Sequence, residues 1–167
     1  MRRIIAWTAV EVTALVLQST IFAQVELGGA KPELVYLVTT VLAFLEGPSS
    51  GAVAGFAGGM AQAYLLNSPK GITALTLTLV GYLVGAIRQY ITTPSPLLPV
   101  ALVGGATVVG VLFNRLVAFL LGQPVEAGLA LRIALLSGVY NAILTPLLFP
   151  LVRRVAESSR ARKVFRW

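Results

Sequence analysis

The sequence predicts an all-α integral membrane protein, a compact bundle of six transmembrane helices with both termini cytoplasmic. Three observations predict it. Hydrophobic residues make up 57% of the 167-residue chain and charged residues 11%, where a soluble domain carries roughly a quarter charged residues. A soluble domain of this size could not hide so much apolar surface. The apolar residues also fall in runs too long for strands and without the alternation a barrel needs. Finally, lysine and arginine are lopsided: with the N-terminus inside, nine lie on the inner side (Arg2, Arg3, Arg88, Arg153, Arg154, Arg160, Arg162, Lys163, Arg166). Two, Lys31 and Lys70, lie outside, and Arg115 and Arg132 fall within spans. Positive loops stay inside, so the formal charge of +7 encodes topology and gives no reason to expect a nucleic-acid partner.

Taken in order, the first span is expected at about 4–23, behind Arg2 and Arg3. That start mimics a signal peptide, but no convincing small-residue cleavage site follows, so the span is read as retained. The second, about 31–45, is short and must borrow its preceding loop or lie partly at the interface. The third, about 50–66, follows a turn at 46–50, and the fourth, about 71–87, stops at Arg88. Seventeen residues reach roughly 25 Å, just enough for the hydrocarbon core. After a proline-rich loop at 92–96 come the fifth span, about 97–121, and the sixth, about 129–152. These six form one transmembrane domain, 1–152. Residues 153–167 form a basic cytoplasmic tail that also carries Val164, Phe165 and Trp167. Such a segment binds anionic headgroups or a cytoplasmic protein.

Four glycines, Gly47, Gly51, Gly55 and Gly59, recur every fourth residue, and Gly81 and Gly85 repeat the step on the fourth span. Small residues let helix backbones approach closely in lipid. The stripe serves either packing inside the bundle or docking of a partner helix. Polar groups at membrane depth are costly and should face protein or a wet cavity. Glu11, Gln18, Glu33, Gln62, Asn114, Arg115, Arg132 and Asn141 are the buried polar candidates. By depth, Glu33 can pair with Arg115 or Arg132, which would fix helix order.

Catalysis has little to stand on. The chain has no Cys, His or Asp, which removes thiol and imidazole chemistry and the common zinc sites. A Ser or Lys nucleophile lacks a recognisable base. No catalytic residue, metal site or cofactor is expected.

Five segments stand out in order along the chain: Leu17-Gln18-Ser19-Thr20-Ile21-Phe22, Pro32-Glu33-Leu34-Val35, the glycine-rich run from Gly51 to Met60, Gly71-Ile72-Thr73-Ala74-Leu75 with Val80-Gly81-Tyr82-Leu83-Val84-Gly85, and, more weakly, Val139-Tyr140-Asn141-Ala142-Ile143-Leu144-Thr145-Pro146. Together they resemble the rod shape-determining protein MreD family of bacteria. The resemblance covers nearly the whole chain. It departs at Ala63, where the family often has an acid; any role of that acid is missing or passes to Gln62. The resemblance implies a non-enzymatic inner-membrane scaffold of the cell-wall elongation machinery. Its expected partner is an MreC-like single-span protein, with links to RodA, its penicillin-binding partner and MreB. It also implies a fold similar to the substrate-binding subunits of energy-coupling-factor transporters, so such a transporter subunit is the alternative. Both tryptophans, Trp7 and Trp167, sit at the expected cytoplasmic end, which leaves the outer side poor in the aromatics a vitamin pocket would use.

Overall fold

The computed structural model describes residues 2–22, 24, 29–66, 70–91, 95 and 97–159, with the side chains of residues 2–4, 70 and 159 excepted. Glu26, most of the loop at 92–96 and the tail cations from Arg160 onward lie outside the described residues. Six helices account for nearly all of the rest: α1 (Arg2–Thr20), α2 (Leu34–Glu46), α3 (Pro48–Leu65), α4 (Lys70–Tyr90), α5 (Leu98–Leu120) and α6 (Ala127–Ser159).

Their arrangement is a wheel. Helix α2 packs against each of the other five. Around it, α1 touches α3, α3 touches α4, α4 touches α5, α5 touches α6, and α6 returns to α1. The hub explains the short second element. Ten consecutive residues, Leu34 through Ala43, are buried, and a helix apolar all round belongs in an interior. Its 13 residues rise only about 20 Å, less than the roughly 30 Å of a hydrocarbon core. The hub meets protein on every side and does not need to match lipid. Its main core joins Leu34, Leu37, Val38, Val41 and Leu42 to Ala14, Ala54, Val103 and Val152. A second cluster joins Val35, Tyr36 and Ala43 to Leu15, Leu77, Val80 and Val84.

The rim turns apolar side chains outward. Phe56 and Val53 on α3, Leu83 and Ile87 on α4, Val109 and Phe119 on α5, and Val139, Ile143 and Leu147 on α6 are all exposed. A soluble monomer rarely presents so much contiguous apolar surface. Helices α4, α5 and α6 are each long and apolar enough to cross a membrane. At 23 residues, α5 is about 35 Å long.

Helix ends follow local chemistry. Gly47 alone joins α2 to α3, with φ 94° and ψ −178°, a conformation essentially restricted to glycine. Pro48 then opens α3 two residues earlier than expected, at the first helical position where its missing N–H costs nothing. Helix α4 runs past Arg88 to Tyr90. The arginine does not stop it: Nη1 donates to Ile91 O at 3.0 Å and the guanidinium lies 4.9 Å from the centre of the Phe44 ring, closing the helix with a cation where its dipole is negative. Helix α5 ends in a Schellman motif, with Gly122 at φ 80°, Gly122 N donating to Phe119 O at 2.9 Å and Gln123 N to Ala118 O at 3.0 Å.

Two expectations need correction here. Helix α2 starts at Leu34 rather than 31, because the residue before Pro32 disfavours helix and Glu33 is itself non-helical at φ −99° and ψ 75°. The sixth helix does not end at 152. It continues through Arg153 and Arg154 to Ser159, and Arg153 Nε meets Glu157 Oε1 at 2.7 Å one turn on. The first part of the expected tail is therefore helix. At 33 residues α6 is about 50 Å long, longer than a hydrocarbon core. Glu157→Gln should change stability by less than about 0.5 kcal/mol, since the pair is exposed and such i,i+4 pairs are weak; a thermal melt in detergent at low and high salt checks this.

Candidate functional site

The glycines come first because they set helix spacing. Gly51, Gly55 and Gly59 face α4. A Cβ on Gly51 would lie 2.5 Å from Gly81 O, one on Gly55 would strike Leu77 O, and one on Gly59 would lie 2.6 Å from Ala74 Cα. Reciprocally, a Cβ on Gly81 would strike Gly51 O, and one on Gly85 would lie 2.5 Å from Pro48 Cα. These five positions form the α3–α4 seam, where backbone meets backbone, and Gly47 is the turn before it. The stripe is covered by the chain's own fourth helix and offers no free docking face. Gly58, beside the stripe, faces the other way: its Cβ would lie 2.7 Å from Glu11 Oε2.

The polar candidates divide into those the fold gathers and those it leaves outside. Gathered at the start of α2 are Gln18 from α1, Glu33, Gln62 from α3 and Asn141 from α6. Glu33 Oε2 accepts from Gln18 Nε2 at 3.1 Å and from Gln62 Nε2 at 3.0 Å. Gln18 Oε1 accepts from Val35 N at 3.1 Å. Asn141 grips the backbone of Glu33 from both sides: Oδ1 accepts from Glu33 N at 3.2 Å, and Nδ2 donates to Glu33 O at 2.8 Å and to Thr107 Oγ1 at 2.9 Å. Ser137 Oγ adds a bond to Lys31 O at 3.1 Å. The first turn of any helix has unpaired N–H groups. Glu33 supplies no side-chain cap, so amides of α1 and α6 supply it from outside. This knot ties α1, α3, α5 and α6 to the hub.

The expected partnership of Glu33 with Arg115 or Arg132 is not a contact ion pair. Its carboxylate is held by two neutral amides, and among the described residues no salt bridge joins it to either arginine. Arg115 reaches it only as a charge at longer range. Both arginines are exposed, five residues from the end of α5 and from the start of α6 respectively. A long cationic side chain that near a helix end can place its head at the interface, so burial is unnecessary.

Glu11 stands apart, lower on α1. It is 7% exposed. Its Oε1 accepts from Thr39 Oγ1 at 3.2 Å, while Oε2 has no hydrogen-bond partner among the described residues. Asn114 is partly buried, with Nδ2 3.5 Å from Thr76 Oγ1. Ala63 is fully buried, and Gln62 beside it is the residue that reaches Glu33.

The sequence reading missed the hydroxyls. Thr39, Thr107, Ser137 and Thr145 are all buried. Thr107 Oγ1 donates to Val103 O at 2.8 Å and Thr145 Oγ1 to Asn141 O at 2.6 Å. For Thr107 and Thr145 a signal was available, because a threonine inside a helix can bond back to the carbonyl four residues earlier. Tyr36 was missed too; it is buried because Gly110 leaves room for its ring, whose Cε1 would lie 2.5 Å from a Cβ there.

The knot can orient helices, but its polar atoms are largely occupied by one another. Glu33→Gln should therefore be mild, because one amide oxygen still accepts from Gln18 and Gln62. Glu33→Leu should cost about 2 kcal/mol by leaving both amides unpaired. Thermal melts of both variants in detergent check the order.

Fold and site together define a helical membrane protein whose central helix is held at one end by side-chain amides. The family model for rod shape-determining protein MreD matches residues 1–155, all of the bundle but the last turn of α6. The chain belongs to that family and has a role in rod shape determination. No curated protein and no solved structure matches it.

Proposed function

We propose that this chain is a non-enzymatic scaffold of the bacterial cell-wall elongation complex. All six helices lie in the inner membrane, both termini are cytoplasmic, and the bundle binds an MreC-like single-span partner, through it supporting RodA, its penicillin-binding partner and MreB. The single observation that carries the reading is the family match over residues 1–155. Two structural facts support it. The gathered polar groups bond to one another, as a rigid frame needs. The exposed rim is apolar on α3, α4, α5 and α6, which suits contact with lipid and with other membrane helices. The cationic tail suits the inner leaflet. No observation favours the energy-coupling-factor alternative.

Topology and function are tested together. The chain has no native cysteine, so single cysteines at Ser159, Gln89 and Gln123 can be labelled in intact cells. Gln123 should react with an impermeant maleimide, and Ser159 and Gln89 should react only after the membrane is opened. Cells depleted of the chain should round up. Retained rod shape, or outside labelling at Ser159, would contradict the proposal.

A further inference from the structure

A groove opens between α1 and α6, about 380 Å³ in volume. Its α1 wall sets the small side chains Ala6, Ala9 and Thr13 beside Val10 and Leu17; its α6 wall is Leu148, Leu151 and Val155; its floor is Leu34 and Val38 of the hub. The small residues recur at i, i+3 and i+7, one face of a helix. They are too short to fill the space that α6 leaves.

Length and charge identify the occupant. The groove extends from residue 6 to residue 17 along α1, about 17 Å at 1.5 Å per residue. Half of a roughly 30 Å hydrocarbon core is about 15 Å. The groove is one leaflet deep, long enough for an acyl chain and too short to seat a spanning helix along its whole length. One cation stands at its lower mouth. Arg154 is exposed beside Leu151 and Val155, and its neighbour Arg153 is engaged with Glu157. An anionic headgroup is drawn to such an interfacial cation.

We propose that the α1–α6 groove is a binding site for one anionic phospholipid: an acyl chain lies against Ala9, Thr13 and Val38, and the phosphate is held at the mouth by Arg154. The site does not depend on the identity of any protein partner. The cytoplasmic placement of the termini enters only in assigning it to the inner leaflet.

Native mass spectrometry of the full chain, released from mild detergent, tests it with phosphatidylglycerol and phosphatidylcholine of identical chains. The wild type should retain one phosphatidylglycerol in preference to phosphatidylcholine. Arg154→Gln should cut that preference about fivefold and leave phosphatidylcholine binding unchanged. Ala9→Phe fills the groove and should abolish retention of both lipids; Thr13→Leu, at another exposed wall position, should do the same in milder form, and circular dichroism confirms that each variant is folded. Equal retention of the two lipids by the wild type, or unchanged phosphatidylglycerol retention in folded Ala9→Phe and Thr13→Leu, overturns the proposal. So does loss of a single-span protein partner from folded Ala9→Phe while its lipid adducts persist, which would make the groove a helix site.

Discussion

Gly55→Leu should prevent the bundle from assembling, and Gly55→Ala should already lower its stability by about 3 kcal/mol. A single Cβ at this position would strike the carbonyl of Leu77 and lie 2.5 Å from its carbon. Those are backbone atoms of α4, so no side-chain rotation relieves the clash. The two helices must move apart, and the close van der Waals contact that holds membrane helices together is lost along the whole seam. Overpacking of a tight core costs typically 1–3 kcal/mol, and a rigid obstacle puts this case at the upper end. Gly81→Ala should behave alike, because its Cβ would meet the Gly51 carbonyl. Gly105 provides the control. It lies mid-helix in α5 with nothing within 4 Å of its would-be Cβ, so Gly105→Ala should be neutral or stabilise by up to about 1 kcal/mol, since alanine is the better helix former. Thermal unfolding in detergent, with size-exclusion profiles to score assembly, separates the three.

The second large effect is expected at Asn141. Asn141→Leu removes three hydrogen bonds at once: those to Glu33 N, Glu33 O and Thr107 Oγ1. Interhelical hydrogen bonds in membranes average only about 0.6 kcal/mol each, which would suggest about 2 kcal/mol. The loss should be larger, about 3 kcal/mol, because a fully buried side chain is replaced by one of different shape and the entry to α2 loses its external cap. Thr107→Val removes one of the three bonds and should cost under about 1 kcal/mol. A double-mutant cycle between Asn141 and Thr107 should then show coupling, and independent effects would mean that the knot is not one unit.

Much of this molecule was legible as positions along an axis and little of it as directions around one. The six apolar runs became six helices, and α5 agrees with its expected span to within one residue at each end. Hydropathy reports depth along a span. It carries no azimuth, so it could not say that Gln18 and Gln62 face Glu33 while Arg115 faces outward. The glycine step of four did contain azimuth, and it defined one face; which helix covers that face depends on chain order around the hub. Helix α2 was hard for a different reason. A span is recognised by its fit to lipid, and α2 is fitted to protein instead, so its length was misleading and its unbroken burial was the true signal. The sixth helix ran on because nothing in Arg153-Arg154-Val155-Ala156-Glu157 breaks a helix; the change from apolar to charged is not where it ends.

Photocrosslinking in native membranes tests the scaffold account most directly. A photoreactive residue placed singly at the exposed positions Phe56, Leu83, Val109, Val139 and Leu147 samples the rim helix by helix. The account predicts that positions on one contiguous face crosslink to a single-span protein with a large domain outside the membrane, and that the others crosslink to lipid. Lipid adducts at every rim position, with no such protein at any, would contradict it.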